Sequence, residues 1–192
     1  MISVRKIRGG GQMQNLQIGP EQLARLSAGL AEYITVQRAK YFDEAVPLTA
    51  SQQSAMAGFF TPEVLGSRLL EGANGKVDGP NFYRPIDAMG FDIPRRMIEV
   101  ATTLYDVIFS NICVPFANKH LFHELVHVEQ YRQLGIEKFA ASYLQGLLAQ
   151  QGFAAIALER QAYGLSVSYE YEPDRIFSVE DVVSESIHRQ EF

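Results

Sequence analysis

Leu121-Phe122-His123-Glu124-Leu125-Val126-His127 carries the pattern H-E-x-x-H inside a run that reads as helix. Residues four apart on a helix lie one above the other, so His123 and His127 direct two imidazoles at one point. Two imidazoles so placed suit a metal ion. Glu124 projects beside them, where a carboxylate can take a proton from water activated by that metal. A tetrahedral site with one open position needs a third protein ligand, and a single helix face does not supply it. The pattern therefore predicts a zinc hydrolase with one Zn2+ per chain and a third ligand from elsewhere in the sequence.

Working outward, Pro115 and Asn118 punctuate the entry to this helix, which is expected over residues 118–134 with Gly135 as its C-cap. Upstream, residues 98–109 are rich in β-branched and aromatic side chains and predict a strand. Downstream, Ile136, Phe139, Tyr143 and Leu147 recur at helical spacing, predicting a helix over 136–151 that Gly152 stops. Another helix is expected over about 155–169. Ser178, with Asp181 three residues on, opens a short last helix after Pro173. Toward the N-terminus, Pro20 starts a helix to Lys40, with Leu23, Leu26, Leu30, Ile34 and Ala39 on one stripe. A second helical segment is expected at 50–58 and a short strand at 68–71. Residues 72–94 hold Gly72, Gly75, Gly79, Pro80, Pro85, Gly90 and Pro94, which predict loop pinned by Phe82 and Tyr83. The expected organisation is a flexible Gly- and Gln-rich end at 1–19, an N-terminal helical segment at 20–60 and a metal-binding domain at 61–192.

The composition narrows the function class. Of 192 residues, 47% are hydrophobic and 20% charged, ordinary values for a globular protein that builds its own core. Net charge is −5, so no overall basic footprint invites nucleic acid; Arg5-Lys6-Arg8 is a small cluster ahead of three glycines. Cys113 is the only cysteine, which excludes an intrachain disulfide; between Ile112 and Val114 it reads as a small buried hydrophobe. The first 20 residues show no apolar signal region, and no stretch approaches the roughly 20 apolar residues of a membrane span. The expectation is a cytoplasmic protein with no membrane span.

The segment from about Ile98 to Tyr163 resembles the zincin metallopeptidases, specifically the minimal gluzincin type. That resemblance implies an α+β fold, a small sheet with an active-site helix and flanking helices. It places an edge strand, here Val100 to Phe109, before the H-E-x-x-H helix. It makes His123 and His127 ligands, Glu124 the general base, and Glu159, in Ala157-Leu158-Glu159-Arg160-Gln161-Ala162-Tyr163, the third ligand. It implies a peptide or protein substrate held in extended form along the edge strand. The chain departs from the family in two places. Glu159 lies 32 positions past His127, a wider gap than in thermolysin-like enzymes, and Glu129 is charged where zincins tend to be apolar.

Other readings of the same residues stay open at this stage. Glu170, Glu172, Asp174 and His188 compete with Glu159 for the third ligand position. His120, one turn ahead of Glu124, either steadies the site or merely starts the helix. Tyr163, four residues past Glu159, either donates to a ligand or an oxyanion, or packs. Two E-x-x-H pairs, Glu124/His127 and Glu185/His188, with Glu32 and Glu159 added, also resemble a ferritin-like di-iron bundle. A non-catalytic zinc-binding or interaction protein on a zincin scaffold is a further alternative, as is a latent enzyme whose N-terminal helix covers the cleft.

Overall fold

A computed structural model describes residues 2–7, 13–72, 101–110, 116–149 and 156–192. Along the chain these form β1 (Ile2–Ile7), β2 (Met13–Ile18), α1 (Pro20–Tyr41), β3 (Val46–Pro47), α2 (Ala50–Met56), α3 (Pro62–Leu65), β4 (Arg68–Leu70), β5 (Ala101–Leu104), β6 (Val107–Ser110), α4 (Asn118–Leu148), α5 (Ala157–Tyr171) and α6 (Val179–His188). The fold is mixed α and β, with a four-stranded sheet of order β3-β4-β6-β5 and a separate β1-β2 pair. The expected loop at 72–94, apart from Gly72, and Cys113 lie outside the described residues.

β6 is the pivot. All four of its residues are buried, and their alternation feeds two cores. Val107 and Phe109 join Leu70, Tyr41, Tyr131 and Leu144 on one face; Ile108 joins Leu69, Val64, Phe122 and Leu125 on the other. Successive strand side chains point to opposite faces, so three residues suffice to tie both cores to one strand. β4 runs parallel to β6, with Leu69 opposite Ile108, and β5 runs antiparallel to it, with Thr103 opposite Ile108. Among the described residues β5 has only β6 as a neighbour.

The sequence predicts one strand over 98–109; within the described residues the structure instead makes a hairpin. Asp106 is the reason. With Tyr105 it forms a two-residue turn, and Tyr105 takes φ 64°. A non-glycine side chain seldom adopts that conformation, so the turn has to be held from outside. Arg38 of α1 holds it, its guanidinium bonding both Asp106 carboxylate oxygens at 2.7 Å. The strand expected at the sheet edge thus divides: Ala101–Leu104 form β5, which ends the sheet among the described residues, and Val107–Ser110 form β6 inside it.

Residues 1–19, expected as a flexible end, contain the paired strands β1 and β2. Their register sets Ile2 opposite Ile18 and Val4 opposite Leu16, a period-two pattern that the glycine content masks. α1 begins at Pro20 as expected and buries Leu26, Leu30 and Ile34; Ala39 is exposed, and Gln37 is buried instead. α4 is two helices, residues 118–134 and 136–148, meeting at Gly135 with φ 74° and ψ 161°. That backbone conformation is essentially restricted to glycine. The first limb packs through Leu121, Phe122, Leu125 and Val126 against α2, α3 and α6. The second packs through Phe139, Ala140, Leu144 and Leu148 against α1. At the N-terminus of α6 the Ser178 hydroxyl accepts from the Asp181 amide at 3.1 Å.

Candidate metal centre

The first limb of α4 is anchored by Phe122, which is fully buried and stacked on Tyr169 at 4.6 Å between ring centroids, with Phe59 and Phe60 edge-on. A core phenylalanine so placed is worth about 3–5 kcal/mol against alanine. Its neighbour His123 and, one turn on, His127 then face α5. α5 approaches because Ile156, Leu158 and Ala162 are all fully buried, which turns Glu159 inward. Glu159 also sits in the first turn of its helix, where the positive end of the helix dipole favours a carboxylate.

The three residues converge. His123 Nε2 and His127 Nε2 are 3.1 Å apart, and Glu159 Oε2 is 3.4 Å from each. Among the described residues, His123, His127 and Glu159 are the group of His, Cys, Asp or Glu side chains gathered closely enough to hold a metal ion. Zinc–nitrogen distances of about 2.0–2.1 Å with tetrahedral angles put ligand atoms about 3.3 Å apart. The observed triangle has that size. Side-chain exposure is 22% for His123, 7% for His127 and 21% for Glu159, so the triangle is open to solvent beside His123 and Glu159. An open fourth position is what distinguishes a catalytic zinc site from a closed structural one.

The charges in the triangle are coupled. Burial works against a charged His127, but Glu159 opposite it, aided by Glu124 and Gln130, outweighs that and raises it to about 9. Burial alone would raise Glu159; the facing His127 and His123 outweigh it and hold the carboxyl well below the usual range. Each group thus favours the charged form of the other.

Glu124 is buried, and its Oε2 accepts a 2.6 Å hydrogen bond from the Thr103 hydroxyl of β5. This ties the carboxylate to the edge strand. Behind His127, Phe139 stands edge-on at 6.1 Å and stacks on Tyr131 at 3.6 Å, forming an apolar wall. His127 Nδ1 lies 2.8 Å from Gln130 Oε1.

The remaining candidates fall elsewhere. Glu170 pairs with Lys119 at 2.9 Å and Glu172 with Arg175 at 2.9 Å; Asp174 is exposed. His188 Nδ1 bonds the Ser184 carbonyl at 2.7 Å on the exposed side of α6, and Glu185 pairs with Arg189. Glu32 is exposed on α1. The two E-x-x-H pairs are thus not brought together, and the sheet adds to the case against a di-iron bundle. His120 stands in the first turn of α4 with its ring 6.0 Å from Phe116; burial lowers its pKa, and it is not among the converging ligands. Tyr163 follows Glu159 by one turn and is 68% exposed, so it does not pack in the core. Glu129 is 1% exposed and accepts two 2.9 Å hydrogen bonds from Arg132, which also reaches Glu180 and so docks α6 on α4.

Sequence reasoning missed Gln130 and Thr103. The spacing of Gln130, three residues past His127, places it on the same helix face and could have exposed it. Thr103 comes from a distant strand and carried no local signal. No protein-family model matches the chain, and neither a curated protein nor a solved structure is significantly similar to it.

Proposed function

We propose that the protein is a zinc-dependent metallopeptidase of zincin type. The observation that carries this reading is the triangle of His123 Nε2, His127 Nε2 and Glu159 Oε2, with edges of 3.1, 3.4 and 3.4 Å. Its dimensions and its mixed imidazole–carboxylate chemistry fit zinc with one position left open. The edge strand β5 beside the histidine-bearing helix also fits the zincin arrangement. Zinc held there supplies Lewis acidity and lowers the pKa of water toward about 7.

The chain's own residues do the rest. Glu124 accepts the proton of the attacking water and later passes it to the leaving amine. Thr103 keeps the Glu124 carboxylate in one orientation, so the base does not have to be ordered at each turnover. β5, which has no described strand on its outer side, pairs with an extended peptide there; the Tyr131 hydroxyl, 3.4 Å from the Thr103 carbonyl, yields that acceptor to the substrate. The wall of Phe139 and Tyr131 excludes water behind His127.

Glu124→Gln tests the assignment. The variant keeps its zinc and loses hydrolysis of a peptide library by about 10²–10⁴-fold. Undiminished cleavage by this variant sinks the role given to Glu124.

A further inference from the structure

Gln130 is fully buried and sits in the middle of a hydrogen-bonded chain from His127 to α6. Its Nε2 donates to the Leu158 carbonyl at 3.0 Å and to Gln161 Oε1 at 2.9 Å; Gln161 Nε2 in turn donates to Ser186 Oγ at 2.8 Å. A backbone carbonyl has no proton to give, so the NH2 end of Gln130, not its oxygen, must face Leu158. Both amide protons are then used, and only Oε1 is left for His127, 2.8 Å from Nδ1. An amide oxygen has no proton to give either. His127 must donate, and its proton is on Nδ1. In a neutral imidazole the other nitrogen is then a bare lone pair. That nitrogen, Nε2, is the one facing His123 and Glu159.

We propose that Gln130 is a positioning residue that sets His127 in its ligating tautomer and keys it to the helix bearing Glu159. The second half follows from the anchor, since Leu158 immediately precedes Glu159. If α5 shifts, the Leu158 carbonyl leaves Gln130, the amide is free to rotate, and His127 loses the partner that fixes its ring. A metal-ligating histidine commonly donates its second ring nitrogen to a carboxylate or carbonyl. Here the acceptor is an amide oriented by backbone, and it adds no charge beside Glu124 and Glu159. The proposal rests on the metal reading of the site, but its central step concerns a proton position that exists without metal.

The test uses the full chain, Gln130→Met, Gln130→Glu and Gln161→Leu. Long-range 1H–15N spectra of the metal-free proteins are recorded over an alkaline pH series, and the tautomer is read where the His127 nitrogen shifts report a neutral ring. The wild-type chain is expected to carry the His127 proton on Nδ1, and Gln130→Met to lose that preference. Gln130→Glu restores an acceptor and with it the Nδ1 proton, although it faces the Leu158 carbonyl with oxygen. Gln161→Leu leaves the Leu158 anchor intact and keeps the wild-type tautomer. Zinc titration of the same proteins should show affinity reduced about 10–100-fold in Gln130→Met and largely recovered in Gln130→Glu. A neutral wild-type His127 ring whose proton is on Nε2 rather than Nδ1, or an unchanged tautomer and zinc affinity in a folded Gln130→Met, overturns the proposal. An Nδ1 proton in a wild-type chain that takes no zinc leaves the tautomer lock standing and refutes the metal reading instead.

Discussion

Raising the pH from 7 to 9 should tighten zinc binding about fiftyfold. Zinc requires the lone pair of His127 Nε2, and in the metal-free protein a proton holds that lone pair. Glu159, 3.4 Å away, is the main cause, raising His127 to about 9 against the cost of burial. Because the folded value is raised, the proton is bound below about 9 and competes with the metal there. The first pH unit weakens that competition nearly tenfold, or about 1.3 kcal/mol, the second about fivefold as the curve bends near 9, and together they give about 2.3 kcal/mol. Above about 9 the affinity levels off. A competition titration against a chelator of known pH dependence, repeated from pH 7 to pH 9, measures this directly. Glu159→Gln provides the internal check: it binds zinc more weakly throughout, and its slope over the same range is shallower, because a neutral amide does not stabilise the imidazolium. An affinity that stays flat from pH 7 to 9 in the wild-type chain would refute the reasoning, since it would mean that no proton leaves His127 when zinc enters.

The same linkage predicts the stability of the metal-free chain. His127 is raised from an ordinary 6.5 to about 9, so its pairing with Glu159 contributes fully below about 6.5 and is lost as pH rises through about 9. The contribution is on the order of 3 kcal/mol, and thermal melts should show the metal-free protein losing stability over that window while the zinc-loaded protein does not. Gly135→Ala should cost about 1–3 kcal/mol, because φ 74° with ψ 161° is strained for any side chain. For a chain of this size that lowers Tm by roughly 2–12 °C, and calorimetry gives the value. Gly135 has nothing within 4 Å of an added Cβ, so an unchanged Tm would show that backbone conformation is not the constraint there.

Much of the site was legible because it is local. His123, Glu124 and His127 share one helix, and helical periodicity puts them on a predictable side. Glu159 could be read because Ile156, Leu158 and Ala162 mark an inward stripe whose burial fixes where the carboxylate points. Gly135 was legible as a helix boundary since glycine alone tolerates the conformation that separates the two limbs. The hairpin at Tyr105-Asp106 was not legible. Its turn lacks glycine or asparagine, and the chain adopts it because Arg38, 68 residues earlier, clamps Asp106. Nor could the clamp of Thr103 on Glu124 be read, since it spans 21 residues and depends on how β5 packs beside α4. Glu129 looked anomalous in sequence because its partners, Arg132 and Gln133, matter only once Glu180 of α6 arrives beside them. Long-range polar pairings of this kind leave no periodic trace in a sequence, whereas apolar stripes do.

Zinc stoichiometry tests the central claim most directly. Native mass spectrometry of the purified chain, with zinc offered, should give close to one zinc per chain. Glu159→Ala should lose that zinc or hold it far more weakly, as the open triangle would keep only its two imidazoles. A chain that takes no zinc, or a Glu159→Ala variant that binds it as tightly as the wild type, would contradict the account.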